Sequence, residues 1–194
     1  MSAKRVLTDR ESALPALAEA FREHGFEGAS LAILSNATGL GKGSLYNFFP
    51  GGKEEMMAAV LTDIDRWFAE KIFAPLDHAT DPAAAIAAMM EEVTVYFRSG
   101  RRICLVGALG LNAARERFSV TLKDYFARWI AALSHCLEVG KVPPPLALQL
   151  AEEAVSGIQG AIVLARALGD DAAFGRIVRK RHEDMLDAFA RYNP

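Results

Sequence analysis

The sequence has few of the residues that build disulfide frameworks, metal sites and membrane spans. It contains 2 cysteines and 4 histidines among 194 residues. Cys104 and Cys136 are too far apart in sequence for a metal-ligand motif, and so few cysteines favour a reducing compartment such as the cytoplasm. The longest apolar run, 157–165, is interrupted by Gln159 and is shorter than the ~18 residues of a membrane span. We therefore expect no metal ion, no cofactor and no membrane segment.

An excess of charge of either sign is also missing. The net charge is −2, and residues 1–53 carry 6 basic and 5 acidic side chains. Charges follow the N-terminal residues at once, so we expect no signal peptide. Bulk charge neither indicates nor excludes nucleic acid as a partner, and a few well-placed cations would have to bind it.

The alternating pattern of β-strands is absent, and apolar residues recur at helical spacing along most of the chain. With 52% hydrophobic residues, the chain is expected to fold as an all-α protein of nine helices. The predicted helices are 12–25, 30–38, 41–48, 53–73, 82–98, 103–112, 116–139, 145–168 and 171–192. The first start rests on Pro15, which is tolerated in the first turn of a helix that begins at Ser12; the alternative is a kink at Pro15. Ala74-Pro75 is expected to end the fourth helix.

The segment from Gly39 to Pro50 joins a turn of small residues to a very short helix. A helix of this length is unstable alone, since isolated helices under about 12 residues are marginal. Leu45 and Phe49, four residues apart, are expected to anchor it on a core. Its polar side would then face outward, as in the second helix of a helix-turn-helix that enters a DNA major groove.

Residues 12–55 resemble the DNA-binding domain of TetR/AcrR-type transcriptional regulators. The resemblance rests on Phe21, Gly25-Phe26, Ser30-Leu31, Gly39-Leu40, Lys42-Gly43-Ser44-Leu45-Tyr46, Phe49 and Lys53-Glu54-Glu55. It implies a TetR-like architecture with a helix-turn-helix DNA-binding domain over residues 8–53. It also implies a larger ligand-binding and dimerisation domain over residues 54–194.

Each candidate DNA-binding residue has a physical reason to contact DNA. Lys42 and Lys53 supply cations for phosphates, and the short helix supplies hydroxyl and amide groups from Ser44, Tyr46 and Asn47. Gly43 lets the backbone approach the DNA closely, and Ser30 begins a helix whose N–H groups can face a phosphate. Lys4 and Arg5 could form an arm that reaches the minor groove. Lys42 and Lys53 could instead be solvated surface lysines, and Tyr46 could lie at the edge of the core. Lys4 and Arg5 could be a frayed terminus, and Ser30 is a helix cap in either case.

Four positions depart from the family pattern. Gly41 replaces the serine that usually precedes the lysine, so the short helix loses a side-chain cap. Asn47 and Phe48 stand where two histidines are common, and Ile33 stands where a polar residue is usual. We expect the departures to change which DNA sequence is preferred rather than the fold.

The rear helices carry two sets of apolar residues. One set lies on the last two helices: Ala151, Ala154, Val155, Ile158, Ala161, Ile162 and Ala165, then Phe174, Val178, Met185 and Phe189. It predicts a homodimer through a four-helix bundle, or else only intramolecular core. In the family, middle-helix residues line a pocket for a small-molecule effector, and the candidates are Trp67, Tyr96, Cys104, Phe118, Tyr125 and Trp129.

The function implied is a ligand-responsive transcriptional regulator, a repressor that binds a palindromic double-stranded DNA operator as a dimer. Two alternatives are an all-helical enzyme and a protein-binding adaptor. The sequence lacks the common catalytic motifs His-Glu-x-x-His and Gly-x-Ser-x-Gly. Gly39-Leu40-Gly41-Lys42-Gly43-Ser44 is similar to a phosphate-binding loop, but it lacks the Walker spacing and a preceding strand.

Overall fold

The computed structural model describes residues 9–192, and throughout that range the chain is helical with short connections. The described residues form nine helices, as predicted. Their bounds are α1 Arg10–Gly28, α2 Leu31–Thr38, α3 Lys42–Phe48, α4 Gly52–Phe68, α5 Pro82–Tyr96, α6 Leu105–Gly110, α7 Ser119–Val139, α8 Pro144–Leu168 and α9 Asp171–Tyr192. Helix α4 continues through a π-turn, Ala69–Phe73, into a last turn, Ala74–Asp77, and a 3₁₀ turn, Ala113–Phe118, leads into α7.

The predicted start of α1 at Ser12 is wrong. Asp9 caps the helix, which begins at Arg10, two residues before Ser12. The Asp9 carboxylate accepts a hydrogen bond from the backbone N–H of Ser12 (2.7 Å), and the Ser12 side chain caps Asp9 in return. These bonds lower the pKa of the Asp9 carboxyl. The predicted break at Gly25 is confirmed by its φ of 67°, although one more turn follows.

The predicted end of α4 at Ala74-Pro75 is also wrong, by one turn. The backbone N–H of Ala74 donates to the carbonyl of Ala69, five residues back. A proline ring normally clashes with the carbonyl four residues before it. The wider π-turn directly before Pro75 relieves that clash, so the helix passes the proline and ends at Asp77.

The chain divides into two compact units, and each unit combines two separate segments of the sequence. The first unit runs to Asp65 and includes Leu105–Leu122; the second comprises Arg66–Cys104 and the chain from Lys123 onward. Fully buried aromatic and aliphatic side chains form the core of the first unit, among them Phe21, Phe26, Leu34, Leu45 and Phe49. The first unit therefore recruits a segment from the rear half of the sequence.

In the second unit, α8 and α9 pack against each other along their length. The apolar residues predicted for a dimer face are buried inside one chain, except Phe189, which is half-buried. Gly157 permits this close packing, because a Cβ there would lie 3.1 Å from Cγ of Arg181. These residues are intramolecular core, so their predicted role at a dimer interface is wrong. Among residues 9–192, no helix is long and apolar enough to cross a membrane.

The turn after α5 has three consecutive residues with positive φ. Arg98, Ser99 and Gly100 have φ values of 51°, 55° and 90°. Gly100 is buried, and a Cβ built there would lie 2.8 Å from Cβ of Ala165 and 3.0 Å from Cβ of Phe174. The missing side chain of Gly100 thus allows the turn to lie directly on α8 and α9.

Gly100→Ala should lower the free energy of unfolding by roughly 2–3 kcal/mol, because it adds a steric clash to an unfavourable φ. Urea unfolding followed by circular dichroism measures the change. The control is Gly110→Ala, where an added Cβ meets no heavy atom within 4 Å; it should leave stability unchanged or raise it by up to about 1 kcal/mol. Equal stabilities for the two variants would contradict the close packing.

Candidate DNA-binding surface

Helices α2 and α3 are joined by a turn whose geometry follows from three residues. The Ser30 side chain accepts a hydrogen bond from the N–H of Ile33 (3.3 Å) and caps α2. Gly39 ends α2 in the left-handed conformation, with φ 69°, which glycine adopts without steric cost. Gly41 precedes α3 without any side-chain cap. The predicted caps at Ser30 and Gly39 and the missing cap at Gly41 are confirmed.

Helix α3 has one anchored side and one open side. Leu45 and the following Phe49 are completely buried, as predicted. The exposed residues on α3 are Lys42, Gly43, Ser44, Tyr46 and Asn47, whereas Phe48 is half-buried. A Cβ built on Gly43 would meet no heavy atom within 4 Å. Five of the predicted DNA-binding residues therefore share one short, accessible helix.

The connection from α3 to α4 is held by an ion pair that sequence reasoning missed. One carboxylate oxygen of Glu55 accepts from the guanidinium of Arg10 (2.9 Å), and the other accepts from the N–H of Gly51 (2.7 Å). The same guanidinium lies 4.9 Å from the centre of the Phe49 ring. The family resemblance includes Glu55 but gives it no role. Arg10 lies 45 residues away from Glu55 in the sequence, so no local pattern indicates that the two side chains pair.

Lys53 already has partners inside the first unit. Its ammonium lies 4.6 Å from the centre of the Phe26 ring and donates to the carbonyl oxygen of Glu27 (3.3 Å). Lys53 is half-buried, and an ammonium group has three N–H donors. A phosphate contact by Lys53 would therefore add to an existing structural contact at the end of α1.

Two residues of the 3₁₀ turn complete the packing around Phe26. The guanidinium of Arg117 pairs with Glu54 (3.0 Å) and lies 5.4 Å from the centre of the Phe26 ring. Phe118, predicted to line an effector pocket, packs edge-on against Phe26 at 5.4 Å. Phe118 thus belongs to the core of the first unit. Lys4 and Arg5, the proposed minor-groove arm, lie outside the described residues.

The other predicted ligand-binding residues lie in the second unit, where four of them surround one ring. The rings of Trp67, Tyr96, Tyr125 and Trp129 lie 5.1, 5.0, 4.9 and 5.2 Å from the ring of Phe68. Trp67 and Tyr96 are half-buried, whereas Tyr125 and Trp129 are buried. Nε1 of Trp129 is buried, and no acceptor among the described residues is within hydrogen-bond distance. We call these five rings the aromatic cluster.

The two cysteines are both buried and form no disulfide. Burial, followed by the nearby carboxylates of Asp77 and Asp81, raises the pKa of the Cys136 thiol to about 11. A thiol that stays protonated at neutral pH is a poor nucleophile and metal ligand. Cys104 is in the second unit, as are four other predicted ligand-binding residues.

Two family profiles match the chain. Residues 14–60 match the family described as bacterial regulatory proteins, tetR family, and residues 82–180 match the one described as transcriptional regulator LmrA/YxaF-like, C-terminal domain. The second match alone covers more than half of the chain. The boundary predicted between residues 53 and 54 stays a prediction.

Individual proteins resemble the chain in sequence or in fold. The transcriptional regulator LmrA of Bacillus subtilis (strain 168) is 34% identical over 88 residues, which is 45% of this chain and 47% of LmrA, so the match spans about half of that relative. A TetR transcriptional regulator from Legionella pneumophila has the same fold, with a TM-score of 0.77 at 19% identity over 93% of this chain and 98% of that one.

A cysteine-substituted form of the TetR family regulator CifR, complexed with 26-bp double-strand operator DNA, has a TM-score of 0.74 at 24% identity. The similarity covers 90% of this chain and 96% of that one. The two matched profiles describe bacterial regulatory proteins and a transcriptional regulator, which indicates a transcriptional regulator and not an enzyme. The chain belongs to the TetR family of bacterial regulatory proteins and is a DNA-binding transcriptional regulator.

Proposed function

We propose that the protein is a homodimeric repressor that binds a palindromic operator in the cytoplasm and releases it when a small-molecule effector binds. The observation that carries the proposal is the open side of α3, which presents five small or polar residues around a buried anchor. A helix of seven residues held only by its inner side is suited to enter a major groove.

The proposed DNA contacts divide between phosphates and bases. Lys42 and Tyr46 are exposed on α3 and are proposed to bind phosphates, and Ser30 is proposed to do so at the start of α2. Lys53 has donors left after its bond to Glu27 and is proposed as a further phosphate contact. The remaining proposed contacts are Gly43, Ser44 and Asn47, of which Asn47 has the side chain best suited to a base edge.

A dimer is supported by where exposed apolar side chains occur. Within residues 9–192, eleven large apolar side chains are exposed, and six of them lie on α8 and α9: Leu148, Val163, Leu164, Leu168, Leu186 and Tyr192. On α8 the exposed positions 148, 152, 156, 160, 164 and 168 recur every four residues, so each is adjacent to the next in a row that winds gradually around the helix. Gly160 lies in this row, and no heavy atom would be within 4 Å of a Cβ there.

This outer side of α8 and α9 is the surface that we propose pairs with a second copy. Exposed apolar patches on soluble chains commonly mark interfaces, and a two-fold axis uses the same patch on both copies. A dimer would present two α3 helices to half-sites one DNA turn, ~34 Å, apart. The operator duplex bound by the structurally similar CifR is 26 bp long, enough for two such half-sites.

The aromatic cluster is the proposed effector site. Ligand sites are mostly apolar with a few polar groups that fix orientation. The buried N–H of Trp129 can donate to an acceptor that an effector brings, which would satisfy a group whose desolvation otherwise costs stability. A groove of about 300 Å³ borders Phe73, whose ring lies 6.0 Å from that of Phe68. Cys104 is proposed as a further apolar contact.

Helix α4 is the proposed connection between effector and DNA. Its first turns carry Lys53 and Glu55, which hold α1 and the end of α3, and its later turns carry Trp67 and Phe68 of the aromatic cluster. An effector that binds one arrangement of α4 in preference to another would shift the population toward it. The proposal is that this arrangement does not fit the operator.

Lys42→Ala, Tyr46→Ala and Gly43→Ala should each weaken DNA binding by about tenfold or more, whereas Lys123→Ala, an exposed cation on α7, should not. Lys42→Ala should also reduce the salt dependence of binding by about one phosphate contact. Gly43→Ala separates binding from folding, because an added Cβ meets open space in the protein. Fluorescence anisotropy with a duplex selected from a random pool measures these effects, and unchanged affinity in all three variants would count against α3.

Leu164→Glu should convert the dimer to a monomer at micromolar concentration, because it places a charge in the proposed interface. Sedimentation velocity should show a species of twice the 21.0 kDa chain mass for the wild type. Val95→Glu, at an exposed position on α5, is the matched control and should remain dimeric. A monomeric wild type, or a dimeric Leu164→Glu variant, would contradict the interface.

A compound that releases the protein from DNA should change its tryptophan fluorescence. The chain has 2 tryptophans, and both Trp67 and Trp129 belong to the aromatic cluster. Trp129→Phe keeps a ring but removes the N–H donor, so it should weaken the response by about tenfold and leave DNA affinity without compound unchanged. Release of DNA with no change in fluorescence would place the effector elsewhere.

A further inference from the structure

The turn between α2 and α3 is held by two hydroxyl groups that act on a single residue, Leu40. The Ser35 hydroxyl donates to the carbonyl oxygen of Leu40 (2.6 Å), and the N–H of Leu40 donates to Oγ1 of Thr38 (3.3 Å). The Thr38 hydroxyl donates in turn to the carbonyl oxygen of Leu34 (2.8 Å). Both polar backbone groups of Leu40 are thus bound by side chains of α2.

Leu40 stands directly before the one helix start of the DNA-binding surface that has no side-chain cap. Gly41 occupies the cap position with φ −66° and ψ 156° and contributes only its carbonyl, which accepts from the N–H of Leu45 (3.0 Å). An uncapped helix of seven residues has little to fix the direction in which its first turn starts. The two hydrogen bonds to Leu40, the residue before Gly41, supply that constraint.

We propose that Ser35 and Thr38 are positioning residues for DNA binding. Their hydroxyls fix the start of α3, which a side-chain cap at Gly41 would otherwise do. Thr38 is 6% exposed, so it is not itself available to DNA. It acts through Leu40 and hence through the placement of Lys42 and Gly43, which follow within three residues. The proposal rests on α3 being the DNA-binding element.

The chemistry of the pair suits this role. Leu40 is half-buried, and a backbone group that is shielded from water without a partner is costly, so the conformation that uses both hydroxyls is favoured. A serine cap would bind an N–H inside α3 itself, whereas the Ser35 and Thr38 hydroxyls restrain the residue before the helix. The two devices should therefore substitute for each other: restoring a cap should make the hydroxyls less important.

The test compares Thr38→Val, which removes the hydroxyl but keeps the shape, with Thr38→Ser, which keeps the hydroxyl. Thr62→Val is the matched control. The Thr62 hydroxyl donates to the carbonyl oxygen of Ala58 (3.0 Å), four residues back, at an exposed position of α4. Gly41→Ser restores a cap, and the backbone of Gly41 accepts a side chain because no heavy atom lies within 4 Å of its Cβ position. Ser35→Ala provides a second, milder variant.

The first measurement needs no DNA. Amide hydrogen exchange of residues 40–45 should become at least tenfold faster in Thr38→Val than in Thr38→Ser, and Gly41→Ser should reverse most of that change. If Thr38→Val does not fold, Ser35→Ala with and without Gly41→Ser gives the same comparison. Exchange in this segment that is unaffected by either hydroxyl, or not slowed by the added cap, overturns the proposal.

The second measurement uses a duplex selected by the wild-type protein from a random pool. Thr38→Val should bind it about tenfold more weakly, equivalent to about 1.4 kcal/mol. Thr38→Ser and Thr62→Val should bind within about twofold of wild type. Gly41→Ser should raise the DNA affinity of the Thr38→Val variant by a larger factor than it raises the DNA affinity of the wild-type protein. Wild-type affinity in Thr38→Val, or no restoration by Gly41→Ser, overturns the positioning role.

Failure of the two proposals can be told apart. If the exchange results are as expected but no duplex is enriched by the wild-type protein, the proposed operator binding by α3 is wrong while the hydroxyls still fix the start of the helix. If a duplex is enriched and bound by wild type but the exchange of residues 40–45 does not depend on Thr38 or Ser35, only the positioning proposal is wrong.

Discussion

The burial of Leu45 and Phe49 is the interaction on which the DNA-binding surface depends. Helix α3 has seven residues and no side-chain cap, so local interactions cannot keep it folded. Both anchors are completely buried, and each is worth roughly 2–3 kcal/mol by area. Their spacing of four residues uses one side of the helix and leaves the other for the five exposed residues. Two further sets of contacts support these anchors. Arg10 and Glu55 form an ion pair next to the Phe49 ring. The hydroxyls of Ser35 and Thr38 bind Leu40, directly before Gly41.

The same unit explains how a chain of nearly neutral net charge can belong to a family of DNA-binding proteins. Several of its cations are engaged within the protein: Arg10 pairs with Glu55 over the Phe49 ring, and Lys53 and Arg117 both lie near the Phe26 ring. These contacts stabilise the frame around α3, and the charges of Arg10 and Arg117 are paired with the carboxylates of Glu55 and Glu54. Lys42 is exposed on α3, so affinity should come from a few placed contacts and backbone approach at Gly43 rather than from a general positive field.

Much of the fold could be predicted from the sequence, because glycine, proline and capping residues have local consequences. Ser30 and Gly39 mark the two ends of α2 as their chemistry requires. What was missed depends on nonlocal or cooperative geometry. The Asp9 cap overrode Pro15, and the π-turn carried α4 past Pro75. Helical periodicity identifies an apolar side but not its partner, so it could not show that the inner side of α8 packs within the chain or that Phe118 packs against Phe26.

We expect the outer side of α3 to contact DNA while its inner side remains packed. Amide chemical-shift mapping of the isotopically labelled protein during titration with a selected duplex tests this directly. The largest shifts are expected at Lys42, Gly43, Ser44, Tyr46 and Asn47. The methyl signals of Leu45 are expected to stay near their positions without DNA. Shifts concentrated outside α2 and α3, or loss of the packed Leu45 signals on binding, would contradict it.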